Sequence, residues 1–296
     1  MTAARIPMVE AACTALAGVA AEEIRRQNTG AKTAVHRVRL TDGRRVVVKL
    51  FAETASHTAE AEGRLLRTIA ATGKINVPEV IASGAVPGQA VTALITRDVG
   101  TSTLGDEIRE GRMSRAAVLL RLALLTAAFH SIPVPPGVPL APRIGEQVSA
   151  LASHCPAEVF ARLGQALETI AGSTRRDRMT WCHGDLHFDN AVTSPRTTDG
   201  TALPEYLVDF EAATVDVPEY DLAQTLVTCD ALDMPSRTFL AAAYGHPVDM
   251  NLLDAYITFQ AVRGWTYAAC REGRHRTTWA TRMHQALTPS ERTTRP

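Results

Sequence analysis

The sequence predicts an α+β protein: a β-rich first part carrying one inserted helix, then a larger, mostly helical second part. Three observations carry that prediction. Val35, Val38 and Leu40 stand among polar neighbours ahead of Asp42-Gly43, a strong hairpin turn, and the return run Arg44–Phe51 is rich in β-branched residues. A helical stretch over 55–72 puts Leu65, Leu66 and Ile69 on one side. The pattern changes near Asp98-Val99-Gly100, and from there to residue 180 the chain reads as helical.

In chain order, residues 7–27 read as a helix, with Pro7 near its start and Glu22, Glu23, Arg25 and Arg26 at a solvated end. A polar break at Asn28-Thr29-Gly30 leads into a hairpin over 34–51. After the 55–72 helix, Pro78 precedes a strand over 80–86, and a second strand runs from Gln89 to Arg97. The helical region that follows is broken at Pro133-Val134-Pro135-Pro136. Two short strands, AVTS and YLVDF, flank a turn at Pro195 to Gly200, and helices fill the rest. The polar tail Ser290–Pro296 reads as disordered. These shifts divide the chain into residues 1–97 and 98–296.

Composition narrows the function classes. Lys+Arg and Asp+Glu number 31 each, so net charge is zero, which argues against a strongly basic nucleic-acid binder. Cys13, Cys155, Cys182, Cys229 and Cys270 are odd in number, scattered and free of CxxC spacing. That argues against a disulfide framework and against a structural zinc site, and fits free thiols in a reducing cytoplasm. The most apolar stretch, Ala116–Phe129, is short and contains Arg121, so it reads as a buried helix and no membrane span is expected. Glu10 follows soon after Arg5 with no long apolar region, so no signal peptide is read.

The sharpest segment is WCHGDLHFDNAV, with His183, Asp185, His187 and Asn190, followed by Asp209 in YLVDFE. Phosphoryl transfer needs a carboxylate to orient the attacking hydroxyl and accept its proton. It also needs oxygen ligands that hold Mg²⁺ against a triphosphate. Asp185 fits the first need, and Asn190 and Asp209 the second. The hairpin between them can bring Asn190 and Asp209 together. Upstream, Lys49 ends the run VVVK, where it can reach phosphates if a helix carboxylate holds it. Glu60 and Glu62 both lie on the next helix; Glu62, one turn before the apolar face, is preferred. His183 and His187 at i,i+4 could suggest zinc, but Gly184 interrupts a helical reading. His130 reads as a satisfied core histidine, and Trp181 and Cys182 as core.

Taken in order, Lys49, Glu62, HGDLHFDN, VDFE and DVPEYDLAQTL resemble the aminoglycoside phosphotransferase and choline kinase superfamily, over about residues 30–227. The resemblance implies a bilobal protein-kinase-like fold, with residues 1–97 as a nucleotide-binding lobe and 98–296 as a catalytic and acceptor-binding lobe. It implies ATP, with GTP open, and Mg²⁺. Asp185 would be the catalytic base and Asn190 and Asp209 the metal ligands. Lys49 would grip phosphates and Glu62 would fix Lys49. Gly30 would lie in the loop over the nucleotide. Thr96, Arg97 and Asp98 would offer backbone groups to adenine. Asp221 would be a structural acid and His183 a shaper of the catalytic loop.

Departures are visible. Gly30 stands without a G-x-G-x-x-G pattern, Glu211 follows Phe210 where protein kinases have glycine, and Asp216-Val217 replace the usual Gly-Asp. Asp216 to Leu222 follow Asp209 too closely for an activation segment, so a small hydroxylated acceptor is expected rather than a protein. Candidate acceptor contacts are Asp185, Glu211, Arg263, Trp265 and Tyr267. Asp230, Asp233, Asp249 and Asp254 precede a basic, aromatic half that includes Arg271, Arg274, Arg276, Trp279 and Arg282. If that half faces the pocket, a neutral or anionic, nucleoside-like or sugar-bearing natural product fits better than a polycation; the competing reading is a solvated helix face. The expected role is antibiotic inactivation. Its rivals are a metabolic kinase for choline, a methylthio-sugar, homoserine or a glycated amine, and a non-catalytic nucleotide-binding regulator.

Overall fold

The computed structural model describes residues 6–27, 33–135, 155–173, 176–193, 205–269 and 276–287, apart from the side chains of residues 176 and 276. Its elements fall into two compact units, Met1–Thr103 with Ala191–Glu211, and Leu104–Asn190 with Ala212–Pro296.

The first unit is built on a five-stranded antiparallel sheet of order β1-β2-β3-β5-β4, from β1 (Ala21–Gln27), β2 (Ala34–Leu40), β3 (Arg45–Ala52), β4 (Val80–Ala85) and β5 (Val91–Arg97). Alternation sets its two faces. Ala34, Val38, Leu40, Val46, Val48 and Leu50 bury one face against Val9, Ala12 and Cys13 of the N-terminal helix α1 (Ile6–Ala12) and the turn that follows it. Helix α2 (Ser56–Thr72) packs against β3, β4 and β5 with Ala59, Glu62, Leu65, Leu66 and Ile69 buried.

The single helix expected over 7–27 is not formed. The helical path ends in a wide turn, Cys13–Ala17, closed by Gly18 at φ 70°, and the chain re-emerges as β1. A left-handed residue reverses the chain where a helix would have to continue, and glycine takes that conformation without strain. The Ala-, Glu- and Arg-rich run that follows has helical propensity, but pairing with β2 overrides it. As an edge strand, β1 keeps Glu22 and Glu23 against Arg39 of β2, and such charge guards an open edge.

The expected hairpin 34–51, the helix over 55–72 and the two strands up to Arg97 are all present. The short strands on either side of the 195–200 turn are β7 (Ala191–Thr193) and β8 (Glu205–Leu207); the turn lies outside the described residues. They join the first unit through bridges from Val192 to Thr103 and from Tyr206 to Asn76.

The second unit is mainly helical: α3 (Leu104–Arg109), α4 (Arg115–His130), α5 (Ala157–Ser173), α6 (Glu219–Thr228), α7 (Met234–Tyr244), α8 (Met250–Ala269) and α9 (Arg276–Leu287). Helix α8 is central. Leu252, Leu253, Tyr256, Ile257, Phe259 and Val262 are buried, and α5, α6 and α9 all pack on it. Helices do not fill the rest as expected. The strands β6 (Thr180–Cys182) and β9 (Thr214–Asp216) pair antiparallel, each too short to show a period in the sequence. Among the described residues, no helix is long and apolar enough to cross a membrane.

Ile69 is fully buried in the first unit. Ile69→Ala should lower stability by about 2–5 kcal/mol, read from the urea midpoint at unchanged slope. Burial, then the nearby Glu10 charge, raises the Cys13 thiol to about 11. Its thiolate at pH 8 is therefore roughly 100-fold scarcer than for an ordinary thiol. Peptide mass mapping after iodoacetamide at pH 8 should find Cys13 unmodified in the native chain and modified in urea.

Candidate active site

In the first unit the sheet and α2 aim three charged side chains at one another. Val46, Val48 and Leu50 of β3 face the α1 side, so the alternate residue Lys49 points to the opposite face, where α2 lies. Its Nζ donates to Glu62 Oε1 at 2.6 Å and to Asp209 Oδ1 at 2.7 Å. Glu62 sits on the buried stripe of α2, 3% exposed, whereas Glu60 is exposed beside Arg64. Burial alone would lower the Lys49 pKa. The charges of Glu62 and Asp209 outweigh it and hold the ammonium well above its ordinary value.

Asp209 adopts φ 69°, a left-handed conformation that aspartate tolerates better than most residues. The turn is held on both sides. Lys49 binds the Asp209 carboxylate, and the Phe210 N–H donates to the same Glu62 Oε1 at 3.2 Å. Glu211, next in the chain, accepts a hydrogen bond from Thr33 Oγ1.

At the end of β5, Thr96 is buried and pairs with Val47 and Val80. The Arg97 N–H donates to Glu79 O at 2.8 Å, and its side chain meets the Glu79 carboxylate in water. The Asp98 N–H donates to Arg45 O at 3.1 Å. The Asp98 carboxylate accepts from Arg37 Nη1 at 2.5 Å and from the Gly100 N–H at 2.9 Å, and Arg37 also donates to Gly100 O. Gly30 lies outside the described residues.

The second unit builds the loop His183–Asn190 on one buried carboxylate. Asp221 of α6 is fully buried and accepts the His183 N–H at 2.7 Å and the Gly184 N–H at 2.9 Å. His130 Nε2 lies 3.1 Å from the same carboxylate, and its Nδ1 is 2.9 Å from Tyr244 Oη, so this histidine is satisfied in the core. Cys182 is buried nearby, and burial, with Asp221 and Asp216, drives its thiol pKa well up. His130, Cys182 and Asp221 form the only potential metal cluster among the described residues. Asp221 is committed to the loop and the thiol is held protonated, so the trio reads as structural.

Gly184 lies at φ 79°, and a Cβ there would stand 2.2 Å from Ala212 O. The loop can pass only as glycine. Beyond it, Asp185 is half-buried, with Gln224 Nε2 at 3.1 Å from Oδ1 and His187 Nε2 at 3.7 Å from Oδ2. Burial would raise its pKa, but the hydrogen bond and charge of His187, with His183 and Arg263, bring it down to about 2. Asn190 donates its amide to Asp185 O at 2.8 Å, which leaves the amide oxygen as the half able to ligate a cation.

Arg263 of α8 donates to Tyr220 Oη at 2.7 Å, to Gln224 Oε1 at 3.2 Å and to Gly184 O at 3.4 Å. Trp265 is half-buried and Tyr267 is 47% exposed. Trp279 packs on Gly264, where a Cβ would be 2.0 Å from the ring, and the Arg282 guanidinium lies over that ring, 4.9 Å from its centre, while pairing with Asp230. Arg271, Arg274 and the side chain of Arg276 lie outside the described residues. The four acids have local work: Asp230 binds Arg282, Asp254 binds Arg237, and Asp233 and Asp249 cap α7 and α8.

Sequence reasoning passed over Gln224, Tyr220 and Thr33. Gln224 was findable: it lies three residues after Asp221 on α6, hence on the same helix face. Asp209 in the first unit and Asn190 in the second each carry a hard oxygen of the kind that suits magnesium.

Residues 23–269 match the model of the phosphotransferase enzyme family. No curated protein matches the sequence. Among solved structures, amicoumacin kinase in complex with AMP-PNP, Ca²⁺ and Ami aligns at TM-score 0.71 and 12% identity, over 95% of this chain and 92% of that one. A spectinomycin phosphotransferase in complex with ADP and spectinomycin aligns at 0.67 and 11%, over 96% and 94%. A choline/ethanolamine kinase family protein from Mesorhizobium loti aligns at 0.64 and 16%, over 95% and 92%. At these identities the likeness establishes a shared fold, the kinase-like α+β fold that the sequence motifs imply. With the family model spanning most of the chain, the protein belongs to the phosphotransferase enzyme family.

Proposed function

We propose that the protein transfers the γ-phosphoryl group of ATP to a hydroxyl of a small molecule, an antibiotic or related natural product. The observation that carries this reading is Lys49 held between Glu62 and Asp209, a cation fixed by two carboxylates. A nucleotide-binding regulator would not need Asp185 and Asn190 in addition to that set.

In this reading Lys49 binds the phosphates, and Glu62 keeps its ammonium in place. Asn190 and Asp209 would hold Mg²⁺, which when bound offsets charge on the transferring phosphates. Asp185 accepts a hydrogen bond from the acceptor hydroxyl and points its oxygen at phosphorus. A carboxylate at about 2 is a weak base, so it takes the proton late, once the new O–P bond makes that proton acidic. Most of the rate then comes from positioning and electrostatics.

The acceptor's charge class is not set by the basic half of the chain. Arg263 and Arg282 are engaged internally, as are the four acids ahead of them. The choice of an antibiotic rests on the likeness to the amicoumacin kinase and the spectinomycin phosphotransferase. The choline/ethanolamine kinase family neighbour supports a metabolic acceptor as the second reading. Incubation with MgATP and a panel of hydroxylated antibiotics and metabolites, scored by mass for one added phosphate, tests both. No gain with any member, and no ATP consumption, would sink the proposal.

Two variants test the assigned roles. Asp185→Ala should lower kcat by about 10²-fold or more with ATP affinity retained; near-normal turnover contradicts the assignment. Asp209→Asn keeps a side chain that tolerates the left-handed turn while removing the charge. Calorimetric titration should show that Mg²⁺ no longer tightens nucleotide binding.

A further inference from the structure

We infer that Gln224, locked by Arg263, is a positioning residue that fixes the Asp185 carboxylate for phosphoryl transfer. The inference rests on the phosphotransfer reading above, and all its members lie in the second unit.

An amide side chain has a donor end and an acceptor end, and its neighbours decide which way it points. Gln224 is 4% exposed, so water cannot substitute for either neighbour. On one side stands Arg263, which can only donate, 3.2 Å from Oε1. On the other stands the Asp185 carboxylate, which when ionised can only accept, 3.1 Å from Nε2. Turning the amide over would set N–H against N–H and oxygen against carboxylate. One orientation therefore survives, and it presents an N–H to Asp185 Oδ1.

Arg263 is itself pinned. It bonds Tyr220 Oη and Gly184 O besides Gln224, and its guanidinium lies 5.8 Å from the Tyr220 ring centre. A planar guanidinium fork reaches three spread acceptors in fixed directions, whereas a lysine's three donors sit on one compact, rotatable head. With Oδ1 tied down by Gln224, the carboxylate cannot rotate freely, and Oδ2 is left toward His187. Tyr220, Asp221 and Gln224 all come from α6, so one helix holds the loop's backbone and aims its carboxylate.

The test uses the full-length protein and water as acceptor. Gln224→Leu keeps the size and removes both bonds. Release of phosphate from MgATP should fall about tenfold or more in kcat, with KM for MgATP within about twofold. In the Asp185→Ala background the same change should have no further effect, because the carboxylate it aims is gone. Arg263→Lys should lower kcat part of the way. By NMR, the Gln224 side-chain amide signals, assigned by their loss in Gln224→Leu, should shift in both Asp185→Ala and Arg263→Lys. Full turnover in Gln224→Leu, a loss that multiplies in the Asp185→Ala background, or amide signals unmoved by either substitution would overturn the inference. If the wild-type protein releases no phosphate from MgATP and modifies no acceptor, the phosphotransfer reading fails, and the amide signals alone decide whether the Arg263–Gln224–Asp185 chain exists.

Discussion

A carboxylate carried out of water must be answered by a cation or by hydrogen-bond donors, and the first unit is organised around one such answer. Glu62 is nearly sealed from solvent, and one of its oxygens meets both the Lys49 ammonium and the Phe210 N–H. That oxygen ties three segments, β3, α2 and the turn after β8, which are far apart in sequence. A buried ion pair of this kind is weak evidence for stability, because desolvation offsets most of its attraction. Its retention is better explained by what it fixes: a lysine whose charge cannot wander and an aspartate held in a left-handed turn.

The second unit meets the same constraint with neutral donors. Asp221 takes two successive backbone N–H groups from the loop and faces His130. Anchoring a loop by its backbone leaves its side chains for other work. Gly184 completes the arrangement, since the chain must pass Ala212 at a distance that admits no Cβ. The spacing of His183, Asp185 and Asn190 thus reflects one anchored turn rather than three independent residues.

Much of this was legible in the sequence, and the limits have physical causes. The Asp42-Gly43 hairpin and the α2 stripe follow from local rules, and both formed as expected. Glu62 could be preferred over Glu60 because only its position falls on the apolar stripe. Strand β1 could not be read, because its residues favour a helix in isolation and became a strand only through pairing with β2. Strands β6 and β9 carry three residues each, too few for a period. The helical reading of residues 7–27 held only as far as the turn closed by Gly18, whose positive φ no composition rule announces. Arg263 illustrates a deeper limit: a basic residue on an amphipathic segment reads as surface or pocket lining, and the sequence gives no sign that Tyr220, Gln224 and Gly184 O will surround it.

That placement changes how acceptor selectivity should be sought. A charge contributes to recognition in proportion to how little it is already neutralised. Arg282 is shared between Asp230 and the Thr228 carbonyl, Arg263 among three polar groups, and Asp254 with Arg237. Arg263 would have to give up a partner before binding a ligand, and leaving buried Tyr220 or Gln224 unpaired costs about 1–3 kcal/mol. Counting charges along the second half of the chain therefore overstates their reach. Half-buried Trp265 and exposed Tyr267 offer flat aromatic faces, so substitutions at these two positions are the more informative probes of what the enzyme accepts.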